Sequence, residues 1–261
     1  MHPEDSASWW GHLREIAAQT CSLVAPRQCP CGEEGTLLCA RCIALLEAEP
    51  QRVEQCCDAL QELSAARVRD VRVGAQLLPA GVDHTPLLPV LALGEYEGDL
   101  QRLILAWKNG GMLHLAARLA PALLPAVHRL TAPTGAATVH LVPVPSQRSA
   151  RLRRGEDHTA ELVRAMQRCG AGHALTLEAR PTTAQDGQGA RQRRTRRIVL
   201  SPRSIRRAQR VPGPVVIIDD VVTTGSTLRG MHRALTDAGM DVLGAVVIAS
   251  ARMPPGSDGT R

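Results

Sequence analysis

The sequence predicts an α/β protein built on a parallel sheet, because two unbroken apolar runs flank a segment of helical periodicity. Residues 215–218 and 242–249 are rich in Val and Ile with no alternating polar positions, the pattern of parallel strands covered on both faces. Between them Leu228, Met231, Leu235 and Ala238 recur at intervals of 3, 4 and 3. Ser226 or Thr227 can cap the start of this helix and Gly239 can end it. Residues 215–249 therefore read as one β-loop-α-β unit. The same rhythm runs upstream: strand over 90–93, helix over 100–107, strand over 139–142, and an amphipathic helix over 158–169 through Leu162, Met166 and Cys169.

The chain has 261 residues, 44% of them hydrophobic, enough for a sizeable core and a small extra module. Seven of its eight cysteines fall within the first 57 residues, which sets that module at the N-terminus. Four segments are expected: a cysteine-rich and helical module over 1–73, with helix over 42–69 from Ile43, Leu46 and Val53; a linker over 74–89 with some extended structure; the main domain over 90–253; and a disordered tail over 254–261. The net charge of +6 is almost wholly arginine, since Lys108 is the only lysine. That balance suits phosphate-bearing ligands or nucleic acid without choosing between them. No basic leader with an apolar core opens the chain and no stretch reaches the roughly 20 apolar residues of a membrane span, so a cytoplasmic protein without membrane insertion is expected.

The segment from Val215 to Thr227, VVIIDDVVTTGST, carries the chemistry. A buried strand delivers Asp219 and Asp220 to its carboxyl end, where open α/β sheets place their ligands. Val221 and Val222 follow, then Thr223, Thr224, Gly225, Ser226 and Thr227 lead into the helix. Gly225 permits a turn with positive φ, the helix start adds partial positive charge, and the hydroxyls supply donors, which together make a socket for one phosphate. Adjacent carboxylates about 4 Å apart repel by roughly 4 kcal/mol at an effective dielectric near 20, so they need a partner. A ribose diol with Mg²⁺ supplies one, because acceptors then meet donors and a hard cation offsets the charge. Diol and phosphate belong to one sugar phosphate.

This segment resembles the phosphoribosyl pyrophosphate motif of type I phosphoribosyltransferases. Over about residues 29–250 the chain resembles ComF, the competence-associated branch of that class. The features that agree in order are a cysteine knuckle, Tyr96-Glu97-Gly98 before a helix with a lysine, Val142-Pro143-Val144-Pro145 before an arginine-rich stretch ending Arg154-Gly155, and the phosphate segment. The resemblance implies a type I phosphoribosyltransferase-like sheet flanked by helices, with a small N-terminal zinc-knuckle and helical module. It further implies phosphoribosyl pyrophosphate bound by residues 219–227 with Mg²⁺, and Arg153, Arg154 and Lys108 beside the pyrophosphate. Residues 182–197 occupy the place of the family's mobile hood. They keep Gln185 and Arg191 but have no asparagine before the next strand. Two functions follow as expectations. One is transfer of a 5-phosphoribosyl group to the nitrogen of an unidentified base or amine, with release of pyrophosphate. The other is a non-catalytic ligand-binding module that serves DNA uptake alongside competence proteins or single-stranded DNA. Nine arginines between Arg191 and Arg210 suit nucleic-acid phosphates, but no aromatic residue accompanies them for base stacking.

Cys39 and Cys42 form a C-x2-C pair, and Cys29 with Cys31 supplies the other half of a four-thiolate structural zinc site. The upstream C-x-C is one residue shorter than the family's usual spacing, which leaves Cys21 as a substitute ligand and unliganded thiols as the alternative. Cys56, Cys57 and Cys169 read as packed helix residues.

Overall fold

The computed structural model describes residues 28–74, 76–109, 112–145, 157–179 and 198–255. A six-stranded sheet forms the centre. Its strands are β1 (Gln51–Arg52), β4 (Val90–Glu95), β8 (Val242–Ser250), β7 (Val215–Val222), β5 (His140–Pro143) and β6 (His173–Ala174), side by side in that order. All neighbours run parallel except β1 against β4. A separate ribbon pairs β2 (Gln61–Val73) with β3 (Gln76–Pro86) antiparallel.

Strand periodicity sorts the core into two layers. Val216 and Ile218 of β7 and Val246 and Ile248 of β8 face a cluster with α2 (Gly98–Asn109), α3 (Ala116–Thr131) and α4 (His158–Arg168). The short helix α1 (Ala40–Leu46) joins that layer through Cys42 and Leu46. Val215 and Ile217, with Ala245 and Val247, face the opposite way onto α6 (Ser226–Asp237), Ala208 of α5 (Pro202–Ala208), and Val53, Cys57 and Leu60 from the N-terminal segment. Because both faces are covered, the strands carry the unbroken apolar runs seen in the sequence. The chain is thus a mixed α/β protein with a mostly parallel sheet between helical layers. Among the described residues no helix is long and apolar enough to cross a membrane.

The elements expected at 90–93, 100–107, 139–142, 158–169 and 215–249 are present, with shifted ends. The helix expected over 42–69 is not. Helix ends at Leu46, Pro50 follows, and the chain then runs through β1, two 3₁₀ turns (Glu54–Cys56 and Asp58–Leu60) and the long strand β2. The stretch read as a linker over 74–89 contains β3. Cys57 is packed in the core as expected, but beside a 3₁₀ turn; Cys56 sits in that turn and Cys169 is exposed just past α4, so none of the three lies within an α-helix.

One buried carboxylate fixes the N-terminal segment to the sheet edge. Glu54 is 3% exposed; its carboxylate accepts from Arg52 Nε at 2.6 Å and from the backbone N–H of Val90 at 3.1 Å. Replacing it leaves the Val90 N–H without an acceptor, which costs about 1–3 kcal/mol. Glu54→Ala is expected to lower stability by about 2 kcal/mol in urea denaturation. Arg52→Ala should also destabilise, because it leaves the buried Glu54 carboxylate without its countercharge although the Val90 bond survives.

Candidate functional site

β7 is flanked by β5 and β8 on either side and carries the two carboxylates in its last four residues. Both are half-buried at the carboxyl edge of the sheet. Each is turned back on the backbone: Asp219 Oδ1 accepts from Asp220 N at 2.9 Å, and Asp220 Oδ1 from Val221 N at 2.6 Å. Asp220 Oδ2 lies 2.6 Å from Lys108 Nζ, with the two side chains 19% and 24% exposed. The only lysine of the chain, in the last turn of α2, therefore meets the acidic pair of β7 across 112 positions of sequence. A cation in that turn is also favoured by the helix dipole.

Beyond the carboxylates, β7 continues through Val221 and Val222, whose carbonyl accepts from Ala251 N at 2.8 Å. Thr223 and Thr224 are exposed, and Ser226 and Thr227 are half-buried. Gly225 has φ +79° and ψ 4°, the left-handed conformation expected of it, and it is itself the N-cap of α6. No side chain caps the helix, so the expected cap by Ser226 or Thr227 is replaced by a glycine turn. The nearest local bond, Ser226 N to Thr224 Oγ1, is long at 3.4 Å. A left-handed glycine leading into a helix start without a side-chain cap presents backbone N–H groups to an incoming anion.

The loop is braced from behind by residues that local sequence patterns do not reveal. Ala59 N donates to Thr224 O at 2.9 Å, and Arg229 Nη1 donates back to Ala59 O at 2.7 Å. A Cβ built on Gly225 would lie 2.7 Å from Leu60 Cγ and 3.1 Å from Cys57 Cβ. The absence of a side chain at Gly225 therefore serves this packing as well as the turn. Gly225→Ala combines the left-handed penalty of about 1–2 kcal/mol with overpacking of about 1–3 kcal/mol. Thermal and chemical denaturation should show a loss of about 3 kcal/mol.

Lys108 is the one residue of the expected pyrophosphate set that can be placed. Arg153, Arg154 and the hood over 182–197 lie outside the described residues.

The second cluster is the knuckle. The sulfurs of Cys29, Cys31, Cys39 and Cys42 all lie within 4.8 Å of one another, and Cys31 Sγ is 3.5 Å from Cys39 Sγ. A tetrahedral zinc with Zn–S near 2.3 Å needs sulfurs about 3.8 Å apart, so the four thiols can hold one structural metal such as zinc. The C-x-C spacing closes because the chain turns tightly after it. Gly32 has φ +101°, Gly32 N donates to Cys29 O at 2.8 Å, and Cys29 N donates to Glu33 O at 2.8 Å. The backbone of Glu33 helps pull the Cys31 thiol down to about 7, whereas burial first of all pushes Cys42 up.

Purified protein is expected to carry about one zinc per chain by elemental analysis, and Cys39→Ser to lose it. A folded wild type that carries no metal as purified would overturn the assignment of a metal to the knuckle. No protein-family model matches the chain, and no curated protein matches it in sequence.

Proposed function

We propose that the chain binds phosphoribosyl pyrophosphate and transfers its 5-phosphoribosyl group to a nitrogen of a base or amine. The observation that carries this reading is the succession at the end of β7: two carboxylates, one of them paired with Lys108, then a left-handed Gly225 opening α6 without a side-chain cap. In this reading the N–H groups at the start of α6 and the hydroxyls of Thr223, Thr224, Ser226 and Thr227 hold the 5′-phosphate. Asp219 and Asp220 accept from the ribose hydroxyls. Mg²⁺ arriving with the substrate offsets charge on the pyrophosphate and beside the carboxylates. Lys108 leaves Asp220 for the pyrophosphate as the bond from C1 to its oxygen breaks. The acceptor nitrogen then bonds to C1 and gives up its proton to solvent or to the departing pyrophosphate. Positive charge that builds on C1 is met by the aspartates and the departing charge by Lys108, so electrostatics supplies the rate. In the knuckle, zinc bound by Cys29, Cys31, Cys39 and Cys42 contributes folding energy and no chemistry.

Calorimetric titration with phosphoribosyl pyrophosphate and Mg²⁺ tests the binding step. Pyrophosphate release across a panel of bases and amines tests transfer, and binding without release points to the ligand-binding module associated with DNA uptake. Asp219→Asn with Asp220→Asn removes two charge-assisted contacts of about 1.5–3 kcal/mol each and should weaken binding by at least about 100-fold. The Mg²⁺ dependence should fall with it. Stability should change little, since relief of repulsion between the aspartates is offset by loss of the pair with Lys108. Unchanged affinity in the folded double variant overturns the assignment.

A further inference from the structure

The knuckle and the carboxylate site share one element, α2. At its start, Asp99 is gripped from two directions: Arg41 Nε, in the first turn of α1 between Cys39 and Cys42, lies 2.6 Å from Asp99 Oδ2, and Arg102 Nη1 lies 3.0 Å from Asp99 Oδ1. The same Arg102 nitrogen reaches the carbonyl of Cys31 at 3.4 Å. An apolar contact reinforces the polar ones, because Cys29, Cys39, Cys42 and Leu46 belong to the same buried cluster as Leu100, Leu103, Ile104 and Trp107 of α2. At the other end of the helix, Lys108 meets Asp220. Nine residues at 1.5 Å each put Asp99 and Lys108 about 14 Å apart on one stiff rod.

We infer that the four-cysteine knuckle is a metal-sensitive control on the sugar-phosphate site, acting through α2 on the position of Lys108. The inference rests on the proposed phosphoribosyl pyrophosphate reading for its ligand. With the metal in place, Arg41 is fixed and holds Asp99 while the Cys31 carbonyl holds Arg102, so the last turn of α2 keeps its ammonium at the carboxylates. Once the metal is removed, or the thiols are oxidised to a disulfide by an oxidant that takes up two electrons and two protons, the grip loosens. Lys108 then spends less time at the site. An anionic ligand meets less positive charge there, and more Mg²⁺ is needed to replace it. Asp99 acts here as the positioning residue, and Lys108, which meets the ligand, has its position set from the knuckle.

The test uses the full chain with phosphoribosyl pyrophosphate and Mg²⁺. Asp99→Asn leaves every cysteine intact and should keep about one metal per chain and a near-native melting temperature. It should nonetheless bind at least about fivefold more weakly, with a raised Mg²⁺ half-saturation. Stripping the wild type with a chelator should reproduce both changes. The decisive arm is non-additivity: in a Lys108→Met background, Asp99→Asn should have little further effect, because the charge it positions is gone. Equal affinity for Asp99→Asn and wild type, or an undiminished penalty in the Lys108→Met background, overturns the inference. Hydrogen exchange at residues 105–109 separates this outcome from failure of the ligand assignment. If the metal-loaded wild type does not bind phosphoribosyl pyrophosphate, the proposed function falls. Faster exchange at those amides on metal removal then still supports the coupling, and unchanged exchange sinks it.

Discussion

Two carboxylates on consecutive residues at the end of a buried strand impose the constraint around which this molecule is arranged. Their repulsion is relieved in two ways. Each accepts a hydrogen bond from the next backbone N–H, and Asp220 takes the ammonium of Lys108 at 2.6 Å. The second device needs a helix whose last turn reaches the carboxyl edge of β7. That in turn needs α2 seated on the sheet through Leu100, Leu103, Ile104 and Trp107, with its first turn held by the knuckle. A short-range electrostatic demand at Asp220 is thereby connected to the cysteines at the far end of a helix.

The loop that follows reflects a second compromise. A helix start with glycine at the N-cap gives up only about 0.3 kcal/mol of the stabilisation that Ser, Thr or Asp would supply there. Gly225 sits there instead, and the loop is held from behind by Ala59, Leu60 and Arg229. Rigidity thus comes from the buried side of the loop, while its outer residues Thr223 and Thr224 stay exposed. Bracing of this kind lowers the ordering cost when an anion binds, since the backbone already holds the left-handed turn.

Legibility in the sequence follows the range of the interactions. The β7-α6-β8 unit was readable because its signals are local: β-branched runs for strands buried on both faces, a 3-4-3 apolar spacing, and a glycine at the turn. Positive φ at Gly225 was readable for the same reason, but the contact with Leu60 that also requires glycine comes from 165 positions earlier in the chain. The start of β2 is hidden because Ile43, Leu46 and Val53 happen to fall at helical intervals, and β3 because Pro79, Gly81 and Asp83 break its pattern like a linker. Pro50 and the β-branched Val68, Val71 and Val73 were the better signals for where helix stops and strand takes over. The pairing of Lys108 with Asp220 leaves no trace in periodicity or spacing. It exists because two elements distant in sequence end at the same edge of one sheet.

That pairing also bears on which ligands the site can accept. A neutral sugar would have to compete with Lys108 for Asp220 and would return nothing for the ion pair it breaks. A sugar phosphate carrying further anionic groups gives Lys108 a new partner as it leaves the aspartate, and a divalent cation arriving with it replaces the lost positive charge. Breaking a partly solvated pair of this kind costs on the order of 1 kcal/mol, which one charge-assisted bond to a phosphate oxygen more than offsets. On the proposed reading, the ion pair at Asp220 therefore favours polyanionic, metal-accompanied sugar phosphates over neutral sugars, independently of the phosphate contacts proposed at the start of α6.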